Sequence, residues 1–504
     1  MSFNAYLITK TELQTDAYKI KINGSLYEPD TARVSAVPFN RRWPGHQRSV
    51  DQTELVNFIG LETDEALSFE IEPREPFENV IIRPLSLGIK PEIREGKIFF
   101  TLRGAAYVTV EPYGRHNALH IFADPLSDYS DVDKTSPDVI YFGKGEHDAG
   151  RIEIKSNQTL FIDEGAVVYG IVRATDAQNI KILGRGILDN SKNRERILFE
   201  VNAENNTSAV TNAERLHTVQ IEYCKNVTIE GITIRDSLVY NIRPCGCKNI
   251  DIRNIKLIGN WRYNSDGIDM HNCDDVYIGN CFIRTFDDSI CVKGFDLFNE
   301  ENVMESAYKA MHRGGEVYDT FKNVLVENCT VWNDWGKALE IGAETKAEEI
   351  CNIRFRCCDI IHVTGEALDC FNVDWADCHD ISYSDINVEY DDIIPKPVIQ
   401  KSDSQRYENP DTDYAPWLCA ANVTHHAEYS KGVTRQGRNR NITFENINLT
   451  GRQKPKFRFK GYDNEHQTSD VVIKNITVNG EKMKNGDYIL EMNEFCKNIN
   501  VEID

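Results

Sequence analysis

A short pattern that returns ten times restricts this chain more than any other feature. An Asn or Asp is followed by a β-branched residue, any residue and an apolar residue. It occurs at Asn179-Ile180-Lys181-Ile182, Asn226-Val227-Thr228-Ile229, Asn249-Ile250-Asp251-Ile252, Asp275-Val276-Tyr277-Ile278 and Asn323-Val324-Leu325-Val326. It continues at Asn352-Ile353-Arg354-Phe355, Asp380-Ile381-Ser382-Tyr383, Asn441-Ile442-Thr443-Phe444, Asp470-Val471-Val472-Ile473 and Asn498-Ile499-Asn500-Val501. Alternation with period two means strand, and one short strand cannot bury its own apolar face. The spacing is roughly 23–30 residues, or about twice that where a coil is missed or a loop inserted, which is the solenoid range. Asn and Asp suit a left-handed corner conformation. Residues 138–504 are therefore expected to form a right-handed parallel β-helix. The competing reading is an antiparallel sandwich with accidental periodicity.

Residues 1–137 lack the repeat. Short alternating runs such as Lys97-Ile98-Phe99-Phe100-Thr101-Leu102 and Tyr107-Val108-Thr109-Val110, broken by Pro and Gly, predict an antiparallel β-sandwich. The polar stretch from Ser127 to Pro137 marks the expected boundary. Two insertions interrupt the solenoid: Phe295 to Thr320, with a short helix expected over Glu301–Met311, and Pro395 to Arg440. They either build a binding site or cover an edge.

The chemistry concentrates in two stretches about one coil apart: Asn264-Ser265-Asp266-Gly267-Ile268-Asp269-Met270-His271 and Thr285-Phe286-Asp287-Asp288-Ser289-Ile290-Cys291-Val292-Lys293-Gly294. Stacking puts Asp266 and the Asp287–Asp288 pair on one face. Neighbouring carboxylates repel, so some are held protonated, which supplies an acid and a base at one pH. Adjacent strand residues point to opposite faces, so Asp287 and Asp288 converge only at a bend. A solvated turn is the plain alternative for the pair taken alone. The balance of 57 Lys+Arg against 79 Asp+Glu, net −22, argues against nucleic acid or an anionic membrane surface as partner. No apolar run approaches the roughly 20 residues of a membrane-spanning helix. Residues Met1 to Lys10 lack the pattern of a secretion signal, and the expected location is cytoplasmic. The 14 cysteines show no C-x-x-C pair and read as buried free thiols, with neither metal nor cofactor expected. Oligomeric state is left open.

Asn-x-Asp-Gly-x-Asp followed one coil later by Asp-Asp-x-Ile-x-x-Lys-Gly resembles the polygalacturonases and their relatives, the dextranases and isopullulanases. These are inverting glycosidases on a right-handed parallel β-helix. The resemblance implies Asp287 as general acid, with Asp266 and Asp288 as bases that position water. It also implies Asp269 as a motif carboxylate and Lys293 as a residue close to the site. The family's Gly-His-Gly-Leu-Ser-Ile-Gly is here Gly336-Lys337-Ala338-Leu339-Glu340-Ile341-Gly342, so Lys337 and Glu340 replace His and Ser. The Arg-Ile-Lys clamp on a uronate aligns with Gly365-Glu366-Ala367-Leu368-Asp369-Cys370-Phe371, which has neither cation. Val80-Ile81-Ile82-Arg83-Pro84, Asn117 to Pro125 and Phe161 to Gly170 resemble the sandwich and first coils of the dextranase type.

The substrate expected from this pattern is a neutral, non-uronic oligo- or polysaccharide, such as an α-glucan of dextran or pullulan type, cleaved with inversion. An inverting pair implies carboxyl groups about 6.5–9.5 Å apart. Expected substrate contacts are Asp269, His271, Lys293, Lys337, Glu340 and Asp369. Trp261, Arg262, Tyr263 and Trp335 are candidates for stacking on or hydrogen-bonding a sugar, although a Trp in a solenoid equally serves packing. Competing readings are a polygalacturonase-type hydrolase, a polysaccharide lyase, which needs a neutralising cation beside a basic residue, and a non-catalytic carbohydrate-binding β-helix.

Overall fold

The computed structural model describes residues 3–41, 49–192, 200–202, 207–209, 217–297, 301–402, 404–427, 429–430 and 432–503. A 31-stranded, predominantly parallel sheet winds from Val139–Phe142 to Cys496–Val501 and forms a β-helix. The ten copies of the repeat are ten successive rungs of one ladder. Ile180 pairs with Val227, Val227 with Ile250, Ile250 with Val276, Val276 with Val324 and Val324 with Ile353. The ladder continues Ile353, Ile381, Ile442, Val471 and Ile499. The wider spacings are thus inserted loops, since the flanking copies pair directly.

Each leading Asn or Asp stands in the left-handed region, with φ from 52° at Asn441 to 61° at Asn323. That conformation costs an ordinary L-residue about 1–2 kcal/mol, and a short side chain that bonds locally offsets it. Here the side chains bond to one another: Asn226 donates to Asn179 at 2.8 Å, Asn249 to Asn226 at 2.8 Å and Asn352 to Asn323 at 2.7 Å. Inside, Ile, Val and Leu fill the solenoid, joined by buried Cys224, Cys247, Cys273, Cys281, Cys329 and Cys358. All 14 cysteines are free thiols.

The N-terminal region holds two packed sheets. One is built on Thr53–Thr63, Ala106–Arg115 and Leu119–Asp124, the other on Tyr18–Ile22, Ala66–Pro73 and Lys97–Arg103. Ile20, Leu61, Phe69, Val108 and Leu119 lie in the core between them. One pair departs from the antiparallel expectation: Leu119–Asp124 runs parallel to Thr53–Thr63. The last of these strands ends at Asp124 and the solenoid begins at Val139.

Buried charges join the sheets to the solenoid. Arg83 bonds Glu111 at 3.1 Å and Asp391 at 3.2 Å, and also Glu389. His362 lies 2.9 Å from both Glu111 and Asp391. Nearby, Arg115 and Arg284 hold Asp334 at 2.9 and 3.2 Å.

Both insertions differ from expectation in detail. The helix spans Val303–Met311, because Asn302 accepts a hydrogen bond from the Glu305 N–H and so starts the helix there. The stretch from Pro395 to Arg440 is not one loop. Val398–Gln400 pairs with Phe39–Arg41, and Cys419–Val423 takes a full place in the ladder between Leu368–Asn372 and Lys456–Lys460. Cys-Ala-Ala-Asn-Val lacks both the leading corner residue and the alternation, so its strand is invisible to the pattern.

Candidate active site

The bend required at Asp287–Asp288 is built by side chains on two adjacent coils. The Thr285 hydroxyl donates to the Asp287 carbonyl at 2.6 Å, and the Asn333 amide donates to the same carbonyl at 2.9 Å. That amide also reaches Ser289 Oγ and the Lys337 carbonyl, both at 3.2 Å. Gly336 makes room beneath: a Cβ there would lie 2.4 Å from Asp288 Oδ1, where the Lys337 N–H instead donates at 3.0 Å. The Asp287 carboxyl accepts from the Asn264 N–H at 3.3 Å and the Asp288 N–H at 3.2 Å.

Asp266, Asp287 and Asp288 converge, with one oxygen from each within 4.8 Å of the others. This is tighter than the carboxyl separation expected of an inverting pair. Asp287 and Asp288 are half-buried, whereas Asp266 is enclosed beneath them. Burial, with Asp288 alongside, raises the Asp287 carboxyl to about 8. Burial together with Asp269 and Asp287 also pushes Asp266 well above the usual range.

Lys293 is the counterweight. Its ammonium lies 3.5 Å from Asp266, 3.4 Å from Asp269 and Asp288, and 3.7 Å from Glu344. Burial disfavours its charge, yet Asp269 and the other anions around it hold it well above the ordinary lysine value. A second triad follows: Lys337 lies 2.5 Å from Glu340 and 2.8 Å from Asp369. Register explains the stack, since Asp269 pairs with Cys291, Cys291 with Glu340, and Glu340 with Asp369.

The expected substrate contacts divide. Asp269, His271, Lys293, Glu340 and Asp369 are at most 3% exposed and form the floor of the site. His271 has its Nδ1 3.1 Å from the Gly294 carbonyl. Trp261 and Arg262 are also buried, both paired with Asp236, because a carboxylate on the preceding coil satisfies the indole N–H and the guanidinium together. Tyr263, Trp335 and Lys337 remain half-buried, with Trp335 stacked on Phe286 at 5.9 Å. Sequence reasoning missed Asn333, Glu344 and Tyr240, whose ring centre lies 5.4 Å from the Lys293 ammonium; all three come from coils or turns without a motif. At the clamp rung, Leu368 and Cys370 point into the core, leaving Asp369 and half-buried Phe371 at the outward positions.

The model of the family described as Glycosyl hydrolases family 28 matches residues 146–364. A probable polygalacturonase of Vitis vinifera is 24% identical over 200 residues, covering 35% of this chain and 41% of that protein. The chain thus spans about two fifths of that curated relative. Dex49A from Penicillium minioluteum superposes with TM-score 0.52 at 13% identity, covering 98% of each chain. The Family 28 exopolygalacturonase of Yersinia enterocolitica gives TM-score 0.50 at 14% identity, covering 100% of this chain and 97% of that one.

Proposed function

We propose that the protein is an inverting glycoside hydrolase of the kind whose family model matches residues 146–364, with Asp287 as the general acid. The observation that carries this reading is the convergence of three carboxylates whose environments differ. Asp287, held at about 8, keeps its proton at neutral pH and delivers it to the departing glycosidic oxygen. Asp288 and, from beneath, Asp266 orient a water for attack on the opposite side of the anomeric carbon. The Lys293 ammonium lies 3.5 Å from Asp266 and 3.4 Å from Asp288.

The cleaved unit is neutral in this reading. A uronate enclosed in a groove needs a fixed cation. The rung in question presents Asp369 and Phe371, and Lys337 is already bound by Glu340 and Asp369. A neutral α-glucan fragment suits such a lining. The relatives' name, polygalacturonase, favours a second reading, hydrolysis of galacturonides. Incubation with isomalto- and panose-type oligosaccharides and with oligogalacturonides separates the two: faster cleavage of the galacturonides selects the second. NMR of the first product anomer tests the mechanism, and a retained anomer overturns it under either substrate.

A further inference from the structure

The wall that carries Asp288 continues past the carboxylates. The Ser289 N–H donates to the Lys337 carbonyl, Ala338 to Glu366, Ala367 to Trp417 and Leu418 to Lys456. Asp288, Lys337, Glu366, Trp417 and Lys456 therefore occupy successive rungs. Strands in a sheet lie about 4.8 Å apart, which places Trp417 about 14 Å and Lys456 about 19 Å from Asp288 along the solenoid. A neighbouring column runs Glu340, Asp369, Ala420, Arg458.

The charge of the wall changes sign along this path. Near the trio the anions dominate. At its far end Lys456, Arg458 and Lys396 gather around Tyr414 and Trp417. The Lys456 ammonium lies 4.5 Å and the Arg458 guanidinium 4.9 Å from the centre of the Trp417 ring, and Lys396 lies 5.5 Å from that of Tyr414. Two of the cations have partners: Arg458 bonds Glu366 at 2.7 Å and Lys396 bonds Asp411 at 3.3 Å. Among the described residues Lys456 has no carboxylate partner; its ammonium donates to the Ala415 carbonyl at 2.9 Å. Trp417, Lys456 and Arg458 all remain partly exposed. A lysine with no carboxylate partner, held in place by an aromatic ring and set beside two further cations, gives this end of the wall a local attraction for an anion. In a protein of net charge −22 it marks a local exception to the surrounding field.

We propose that Trp417, Lys456 and Arg458 form a distal subsite for the carboxylate of an acidic sugar, in a chain whose cleaved unit is neutral. This rests on the hydrolase reading of the carboxylate trio. Lys456 supplies the unsatisfied charge and Trp417 fixes its position. Arg458 offers the guanidinium nitrogens that Glu366 leaves free. The substrate class is then a mixed glycan in which a uronate lies several rings from the bond that breaks. A uniformly uronic chain would place a carboxylate against Asp369 and Glu340 as well, and is disfavoured.

The test uses the full chain carrying Asp287→Asn, so that binding is measured without turnover. The probes are short α-gluco-oligosaccharides bearing one terminal uronate at either end, and the same chains with the carboxyl reduced to an alcohol. Calorimetry is expected to give at least tenfold tighter binding of the acidic form, a preference that shrinks with added salt. Adding Lys456→Met is expected to bring the two forms within about twofold, with Lys456→Arg restoring most of the preference. Equal binding of both forms, no binding of any acidic probe, or a preference untouched by Lys456→Met overturns the subsite. Turnover of the neutral chains by the wild-type protein is read in parallel. Cleavage without an acidic preference removes the subsite and leaves the hydrolase standing; an acidic preference without cleavage of any probe does the reverse.

Discussion

Replacing Lys293 with Met removes a buried cation that lies within 3.7 Å of four carboxylates: Asp266, Asp269, Asp288 and Glu344. Two unit charges 4 Å apart attract by about 4 kcal/mol at an effective dielectric of about 20, so each contact here is worth roughly 4–5 kcal/mol in isolation. The four do not add, because carboxylates relieve the loss by taking up protons. Breaking a buried pair costs about 3–5 kcal/mol, which is the expected destabilisation at pH 8. The sign of the pH dependence follows from Asp266, Asp269 and Asp287, whose folded values all stand above the unfolded one. The native state then binds the more protons, so acidification stabilises it, down to the unfolded carboxylate range near pH 4. Lys293→Met raises these carboxyls further, so its deficit is largest at pH 8 and narrows by about half at pH 5. Urea unfolding of both proteins at the two pH values reads this directly. The acid limb of kcat/KM is expected to move upward by about one to three pH units, at 1.36 kcal/mol per unit. A deficit below about 1 kcal/mol at pH 8, or one that grows on acidification, refutes the placement of charge in the groove floor.

Asp287→Asn is expected to lower kcat by about 10²–10⁴-fold with the unfolding midpoint unchanged, since the amide fits but has no acid proton; more than a tenth of wild-type kcat refutes its role. In the wild type, kcat/KM is expected to fall above about pH 8 as Asp287 ionises, and a flat profile to pH 10 contradicts the assignment. Asn323→Ala leaves an L-residue at φ 61° and removes the hydrogen bonds to Asp275 and from Asn352, for a loss of about 1–3 kcal/mol in urea unfolding; a loss below about 0.5 kcal/mol counts against the ladder as a stabilising device.

The solenoid was legible because its corner is a chemical requirement repeated at every coil. The left-handed corner before each repeat strand is Asn or Asp, and the next inward position is branched, so each rung writes the same letters. Cys419–Val423 escaped because it belongs to another face of the solenoid, stacked between Leu368–Asn372 and Lys456–Lys460, strands that do not start from the Asn or Asp corner. The carboxylate trio was visible through local spacing, whereas its support was not. Asn333 and Glu344 reach the site across coils, and such proximity exists only after stacking. The burial of Trp261 and Arg262 was hidden for one reason: they sit in a sequence rich in candidate sugar contacts, but Asp236, a coil away, takes both inward. The parallel pair in the N-terminal sheet was equally hidden, since alternation specifies a face and carries no direction.

The charged joint between the sheets and the solenoid bears on how the molecule can be divided. Arg83, Glu111 and Arg115 come from before the boundary; Arg284, Asp334, His362, Glu389 and Asp391 come from after it. Each side alone is left with charges that its own residues do not neutralise, on a surface shaped to exclude water. A hinge motion at this joint would have to break and rehydrate the pairs that cross it, Arg83 with Glu389 and Asp391, Arg115 with Asp334, and His362 with Glu111. The sheets lie along the flank of the solenoid, packed on Val167, Ile258, Phe282, Trp332 and Ile361, and brace it along the stretch where the trio is set. Severing the chain between Asp124 and Val139 would therefore yield fragments that seek each other again, and reassembly from separately expressed halves is the form in which that bracing would become visible.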